Sequence, residues 1–270
     1  MQNRFHLPQA DKLSIVSASI LVSYALLPFI QVSAREVPLA IAGIFIPLRI
    51  NFYNLMSLIA AGLAAAGTDW MLRDHPGFEQ RTSLPHLILP ASAAGALGFP
   101  LGLLEASAEW WIIMGLGSLL IVMILFAEFI SIDEKDSRYP LALMVLSAVS
   151  YGIFFLVIIA LRAANSRLYL MLLILPAFFL FLCLRVLQFR VGGRWRFEWA
   201  AVVTLIITQF MIAFYYWPLT PIRYALGLLG PAYALIGVAA SLEENPDIHR
   251  VFFEPVVMLG VIWVLGIFFP

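Results

Sequence analysis

An all-α membrane protein is predicted, a bundle of about nine transmembrane helices with a short re-entrant or interfacial segment near 36–50. Two observations predict it. Hydrophobic residues fill 63% of the 270 positions and charged residues only 12%, against about 25% charged in a typical soluble domain. The apolar residues are also gathered into nine runs, each near the roughly 20 residues that a helix needs to cross about 30 Å of hydrocarbon. Only short connections are left, so 1–270 reads as a single polytopic transmembrane domain with no soluble domain.

The spans fall at about 13–34, 51–72, 85–104, 107–130, 140–161, 167–188, 198–217, 220–242 and 251–269. Arg4 and Lys12 precede the first, and Val32-Ser33-Ala34 has the small residues of a cleavage site. The apolar run from Leu13 to Ile30 is longer than the 7–15 residues of a signal-peptide core, so an uncleaved first helix is expected. Segment 36–50 is apolar but short, carries Pro38 and Pro47, and is bracketed by Arg35 and Arg49. A re-entrant or interfacial piece, extended in form, and a tenth helix are the two readings open there. Later ends are marked chemically. Asp133-Glu134-Lys135-Asp136 is too charged for lipid, Val191-Gly192-Gly193-Arg194 is a glycine turn, and Glu243-Glu244-Asn245-Pro246-Asp247 stops the eighth helix. Trp110-Trp111, Tyr215-Tyr216-Trp217, Trp195 and Trp199 stand where interfacial aromatic belts are expected.

Orientation follows from the cationic residues. With nine helices, one side receives Arg4, Lys12, Arg73, Arg81, Lys135, Arg138, Arg185, Arg190, Arg194, Arg196 and Arg250; the other receives Arg35, Arg49, Arg162, Arg167 and Arg223. That bias puts the N-terminus in the cytoplasm and the C-terminus outside. A tenth crossing at 37–48 would weaken the bias. Small residues crowd the second helix (Ala60-Ala61-Gly62, Ala64-Ala65-Ala66-Gly67) and the third (Ala91-Ser92-Ala93-Ala94-Gly95-Ala96). They let backbones approach closely where apolar bulk gains nothing over lipid. A tight hairpin of these two helices is expected, or packing of each on a third. Gly227, Gly230 and Gly237 give the eighth helix a similar surface, and Pro28, Pro90, Pro176 and Pro231 are placed inside helices.

Ionisable residues at membrane depth bring the sequence closest to chemistry. Asp69, His86, Glu128, Arg185 and Glu254 fall about one turn inside the cytoplasmic boundary, counting 1.5 Å per residue. Unpaired charge in lipid is costly, so such residues are read first as a functional site. Together they form a candidate polar pocket open to the cytoplasm. Asp69 lies four residues before Arg73, in register to pair along one helix face. The competing reading is structural: Arg185 snorkels, and Glu128 and Glu254 only mark helix ends. Asp74-His75-Pro76 reads as a solvated loop with a turn at Pro76 and Gly77, since His75 and His86 lack any metal-ligand spacing. Gly115-Leu116-Gly117-Ser118 reads as small-residue packing. The single cysteine, Cys183, supports neither a disulfide nor a cysteine metal site. No catalytic motif, phosphate loop or cofactor signature is present, so no catalytic residue, metal or cofactor is expected. With 16 basic against 16 acidic residues and no basic patch, a nucleic-acid partner is excluded.

The stretch Gly67-Thr68-Asp69-Trp70-Met71-Leu72-Arg73-Asp74-His75-Pro76 resembles a segment of an uncharacterised bacterial family of multi-pass membrane proteins. Leu89-Pro90, Ala127-Glu128-Phe129-Ile130, Tyr216-Trp217-Pro218-Leu219-Thr220-Pro221, Leu228-Leu229-Gly230-Pro231 and Glu254-Pro255 resemble it in the same order. The resemblance covers nearly the whole chain. It implies the architecture and no biochemistry, so it makes no catalyst of Asp69, Glu128 or Glu254.

Three function classes remain. A transporter-like or small-molecule-binding protein would use the polar pocket. A structural or assembly subunit would bind other membrane proteins, or itself, through small-residue faces. A lipid-handling enzyme ranks behind both, because catalysis needs convergent groups with recognisable roles. Membrane lipids are the expected partners in every case.

Overall fold

The computed structural model describes residues 7–30, 35–41, 44–78, 82–244 and 248–268, with the backbone alone described over 35–41, 44–50, 244 and 248–250. Its helices are α1 (Ala10–Ala25), α2 (Phe52–Leu72), α3 (Leu84–Leu103), α4 (Ala108–Ile130), α5 (Tyr139–Ala163), α6 (Leu168–Arg190), α7 (Phe197–Tyr215), α8 (Pro221–Glu244) and α9 (Ile248–Phe268). Among the described residues, nine helices are long and apolar enough to span a membrane, α1 being counted with the 3-10 turn Leu27–Phe29 that follows it. The fold is therefore that of an all-α membrane protein. Val32-Ser33-Ala34, Asn245-Pro246-Asp247, Arg4 and Arg81 lie outside the described residues.

Two boundaries differ from expectation for one reason each. The first helix does not run to residue 34; it ends at Ala25, and Pro28 lies in the 3-10 turn beyond it. Proline has no N–H to give and crowds the residue before it out of helical geometry. Among its described residues, segment 36–50 is extended and not helical. Strands β1 (Arg35–Ile41) and β2 (Ile44–Ile50) pair antiparallel, with Arg35 opposite Ile50 and Pro38 opposite Pro47.

Helix starts are closed by local chemistry. Asn51 accepts the Asn54 N–H at 2.8 Å, and Ser107 and Thr220 do the same for Trp110 and Arg223. The α6 end needs left-handed backbone at Gly192 (φ 58°) and Gly193 (φ 79°), and the Gly193 N–H returns to the Gln188 carbonyl at 2.9 Å.

The chain divides into two compact units, Met1–Ala142 and Leu143–Pro270, the division falling in the first turn of α5. In the first unit α2 and α3 form the closest pair, as their small residues predict. A Cβ on Gly95 would sit 3.5 Å from the Ala61 methyl, one on Gly102 3.5 Å from the Tyr53 ring, and one on Gly98 would strike the Ser57 hydroxyl. Gly67 of α2 is covered by Val16 of α1, and Gly117 of α4 by Leu97 of α3. Side chains tie these helices further. Tyr24 donates to the Ala94 carbonyl at 2.5 Å, and the buried Trp110 indole donates at 3.1 Å to Leu101, whose carbonyl lies in the last turn of α3. Lys12 pairs with Asp74 at 2.5 Å.

In the second unit α8 and α9 form the closest pair. Gly230 faces Leu259 and Trp263, and Gly237 faces Pro255, so the α8 glycines meet α9 as a small-residue surface should. Pro231 has no N–H for the Gly227 carbonyl four residues back; the Trp263 indole of α9 donates to that carbonyl at 3.3 Å instead. Pro90 and Pro176 also lie inside helices as expected, joined by Pro100 and Pro255. Arg196 and Trp199 at the start of α7 both bind Glu243 at the end of α8, at 2.5 and 3.0 Å. Helix α5 reaches its neighbours through rings: Phe154 meets Phe179 at 4.6 Å and Tyr151 meets Tyr233 at 5.3 Å.

Two glycines on one helix make a test of this packing. Gly67→Ala drives a methyl into the branched Val16 side chain and is expected to cost about 1–3 kcal/mol. Gly62→Ala meets nothing within 4 Å and is expected to be neutral or to stabilise by up to about 1 kcal/mol. Thermal unfolding of the two purified variants against the wild type checks the contrast.

Candidate functional site

His86 is the third residue of α3 and Glu128 is two residues from the end of α4. The packing of α3 on α4 brings them together: His86 Nδ1 and a Glu128 carboxylate oxygen are 2.7 Å apart. Glu128 is 0% exposed and His86 7%. Ser131, the residue that caps α4, completes the group. Its hydroxyl donates to the Glu128 carbonyl at 2.8 Å and lies 3.3 Å from His86 Nδ1 and 3.4 Å from the carboxylate. Pro90 has no N–H for the His86 carbonyl four residues back, whereas Pro85 stands in the first turn, where an N–H has no helical partner in any case.

The chemistry open to this arrangement is proton and hydrogen-bond chemistry. An Nδ1–H donates to the carboxylate whether the ring is neutral or cationic, and the hydroxyl is both donor and acceptor. Two charges taken out of water gain less from each other than they lose in hydration unless the geometry is good, and apolar residues of similar size would hold helices as well.

The other expected residues are distributed as follows. Asp69 closes on Arg73 at 2.7 Å along α2, the four-residue pairing read from the sequence. The same face continues through Ala66 and Gly62; both are exposed, and open space lies beyond Gly62 among the described residues. Arg185 is 2% exposed, donates to Gln188 at 2.8 Å and lies over the Phe189 ring at 4.3 Å. It is held inside protein and does not snorkel. Glu254 is exposed and accepts from the Tyr233 hydroxyl at 3.4 Å. Arg185 and Glu254 line neither of the two cavities described in the second unit.

Three features escaped the sequence reading. Ser131 sits just past the helix end, where its only signal is the three-residue spacing to Glu128. Arg190, counted only as a cytoplasmic charge, lies over Tyr233 at 5.4 Å and within electrostatic reach of Glu254. His75 is a correction: it was expected in a solvated loop and is 4% exposed, its ring against Phe129 at 4.8 Å and its Nδ1 accepting the Gly77 N–H at 3.0 Å. The turn at Pro76 and Gly77 is present, and it folds the histidine inward. Among the described residues no group of three His, Cys, Asp or Glu side chains is placed to hold a metal ion. In the loop before α5, the hydrogen-bonded Asp136 carboxylate pushes the Arg138 guanidinium up from its usual value.

A family model described as "Protein of unknown function (DUF5656)" matches residues 32–269. The chain belongs to that family. The match takes in Asp69, Arg73, His86, Glu128, Arg185 and Glu254 and begins after α1. No curated protein and no solved structure matches the chain.

Breaking the buried pair tests its energetics. Glu128→Ala leaves His86 without its carboxylate and is expected to destabilise by about 3 kcal/mol or more. The double variant His86→Ala/Glu128→Ala is expected to lose less than the two single variants summed. A double-mutant cycle on thermal unfolding measures this, and additivity would show that the two side chains do not interact.

Proposed function

We propose that this chain is a multi-pass protein of a bacterial cytoplasmic membrane, N-terminus inside and C-terminus outside, that binds or passes a small polar solute or ion from the cytoplasmic side. The observation that carries the reading is the buried His86–Glu128–Ser131 group, a titratable pair sealed between two helices near their ends. Ionisable groups at membrane depth are kept for what they bind more than for the stability they confer. The orientation rests on the cationic bias of the loops. An enzyme is the weaker reading, because the Ser131 hydroxyl meets the same His86 Nδ1 that faces Glu128, whereas a relay to a nucleophile would use the other ring nitrogen.

Cysteine labelling tests pocket and orientation separately, since the one native cysteine is buried. In a Cys183→Ser background, Arg194→Cys is expected to react with a membrane-impermeant maleimide in inverted vesicles only. Ser131→Cys is expected to react from the same side, more slowly. Reaction of Arg194→Cys from outside overturns the orientation. A Ser131→Cys that stays unlabelled while Arg194→Cys reacts overturns the pocket.

A second reading, an assembly subunit, is favoured by Gly62 and Ala66, which are exposed on one face of α2 with nothing among the described residues within 4 Å of a Cβ on Gly62. Ala66→Cys in the same background is expected to form an oxidative cross-link to a second copy or another membrane protein. A monodisperse monomer with no cross-link ends that reading.

A further inference from the structure

We propose that Tyr151, Arg190, Tyr233 and Glu254 form a binding site in the second unit for a small zwitterion, an amino acid carrying one positive and one negative group. Each of the four comes from a different helix: Tyr151 and Tyr233 lie midway along α5 and α8, Arg190 ends α6, and Glu254 stands nearly two turns into α9. Tyr233 is the centre. The Arg190 guanidinium lies over its ring at 5.4 Å, the Tyr151 ring meets it at 5.3 Å, and its hydroxyl donates to the Glu254 carboxylate at 3.4 Å. None of these residues belongs to the His86–Glu128–Ser131 group of the first unit, and neither site needs the other.

The Tyr151 hydroxyl is the observation that points to a ligand. It is sealed from the surface and has no hydrogen-bond partner among the described residues, although Arg190 stands within electrostatic reach of it. A phenol left in that state is costly to keep, and a bound acceptor would satisfy it. The cation beside it is held against α8 at Gly237, where a Cβ would come 3.6 Å from the Arg190 guanidinium and 3.2 Å from Pro255. Glu254 is exposed and gives the site its open edge. Pro231 and Pro255 interrupt α8 and α9 beside Tyr233 and Glu254, as helix breaks do where a solute is held at membrane depth.

Charge sets the class of ligand. Donors come from α5 and α6, as the Tyr151 hydroxyl and the Arg190 guanidinium. Acceptors come from α9, as the Glu254 carboxylate and the Val251 carbonyl one turn earlier, to which Pro255 offers no N–H. Arg190 and Glu254 act on each other at a distance, with Tyr233 between them. A ligand carboxylate suits the planar Arg190 fork and the Tyr151 hydroxyl, and a ligand ammonium suits Glu254. A zwitterion supplies both and brings no net charge to a depth where an unpaired ion is costly. A simple anion would meet Glu254 as a like charge, and a simple cation would meet Arg190.

Equilibrium binding to the intact purified protein tests it. The probes are radiolabelled glycine, β-alanine and γ-aminobutyrate, whose two charges stand progressively further apart, with acetate and ethylamine as carriers of one charge each. One of the three zwitterions is expected to bind with a dissociation constant below about 1 mM, and acetate and ethylamine to bind about tenfold more weakly or not at all. Arg190→Gln and Glu254→Gln are each expected to cost about tenfold in that affinity. Tyr151→Phe is expected to cost as much while raising the unfolding temperature of the ligand-free protein, because it removes a hydroxyl that bonds to nothing there. Failure of all three zwitterions to bind, or acetate or ethylamine binding as tightly as they do, would overturn the proposal. So would a Tyr151→Phe protein that binds like the wild type. A Tyr151→Phe protein that unfolds at a lower temperature without ligand would also end it, by assigning the hydroxyl to a structural water.

Discussion

Inside hydrocarbon an amide that does not bond within its own helix finds no water to take its place, and everything in this fold is subject to that limit. It selects helices, and it makes each helix-interior proline a local debt in hydrogen bonds. Side chains from neighbouring helices supply the donors. Trp263 reaches the Gly227 carbonyl that Pro231 leaves open, and Trp110 reaches Leu101 at the frayed end of α3. The aromatic residues thus do more than mark the interface. Their polar edges finish the backbone of another helix while their rings fill space beside it.

The same limit explains why glycine and alanine carry the packing. Lipid chains are as apolar as leucine, so burying one apolar side chain against another gains little. What remains is dispersion between close backbones and hydrogen bonds across helices. The α2–α3 pair uses Gly95, Gly98 and Gly102 for the first and Tyr24 to Ala94 for the second. The α8–α9 pair uses Gly230 and Gly237 with Trp263 to Gly227. Both units therefore reach the same solution with different residues.

Much of the architecture was legible in the sequence because spanning helices announce themselves by length and hydropathy, and because the charged run from Asp133, the Gly192-Gly193 pair and Glu243-Glu244 punctuate them. The polar group was half legible. Counting along helices gives depth, which put His86 and Glu128 at one level. It does not give azimuth, so nothing in the sequence said that these two would meet while Asp69 would turn to Arg73. Ser131 and His75 were missed for a related reason: both lie past helix ends, where periodicity stops and a turn decides what points inward. The end of α1 was misjudged because hydropathy continues past Pro28 although the helix cannot.

The bond from Trp263 to Gly227 also bears on biogenesis. Synthesis delivers α8 before α9, so for some seconds the Gly227 carbonyl has lost its helical donor and its replacement does not yet exist. Entering lipid alone in that interval would leave a polar group exposed at a cost of several kcal/mol. The translocon should therefore release the last two helices together, as a preassembled couple rather than as two successive solo insertions.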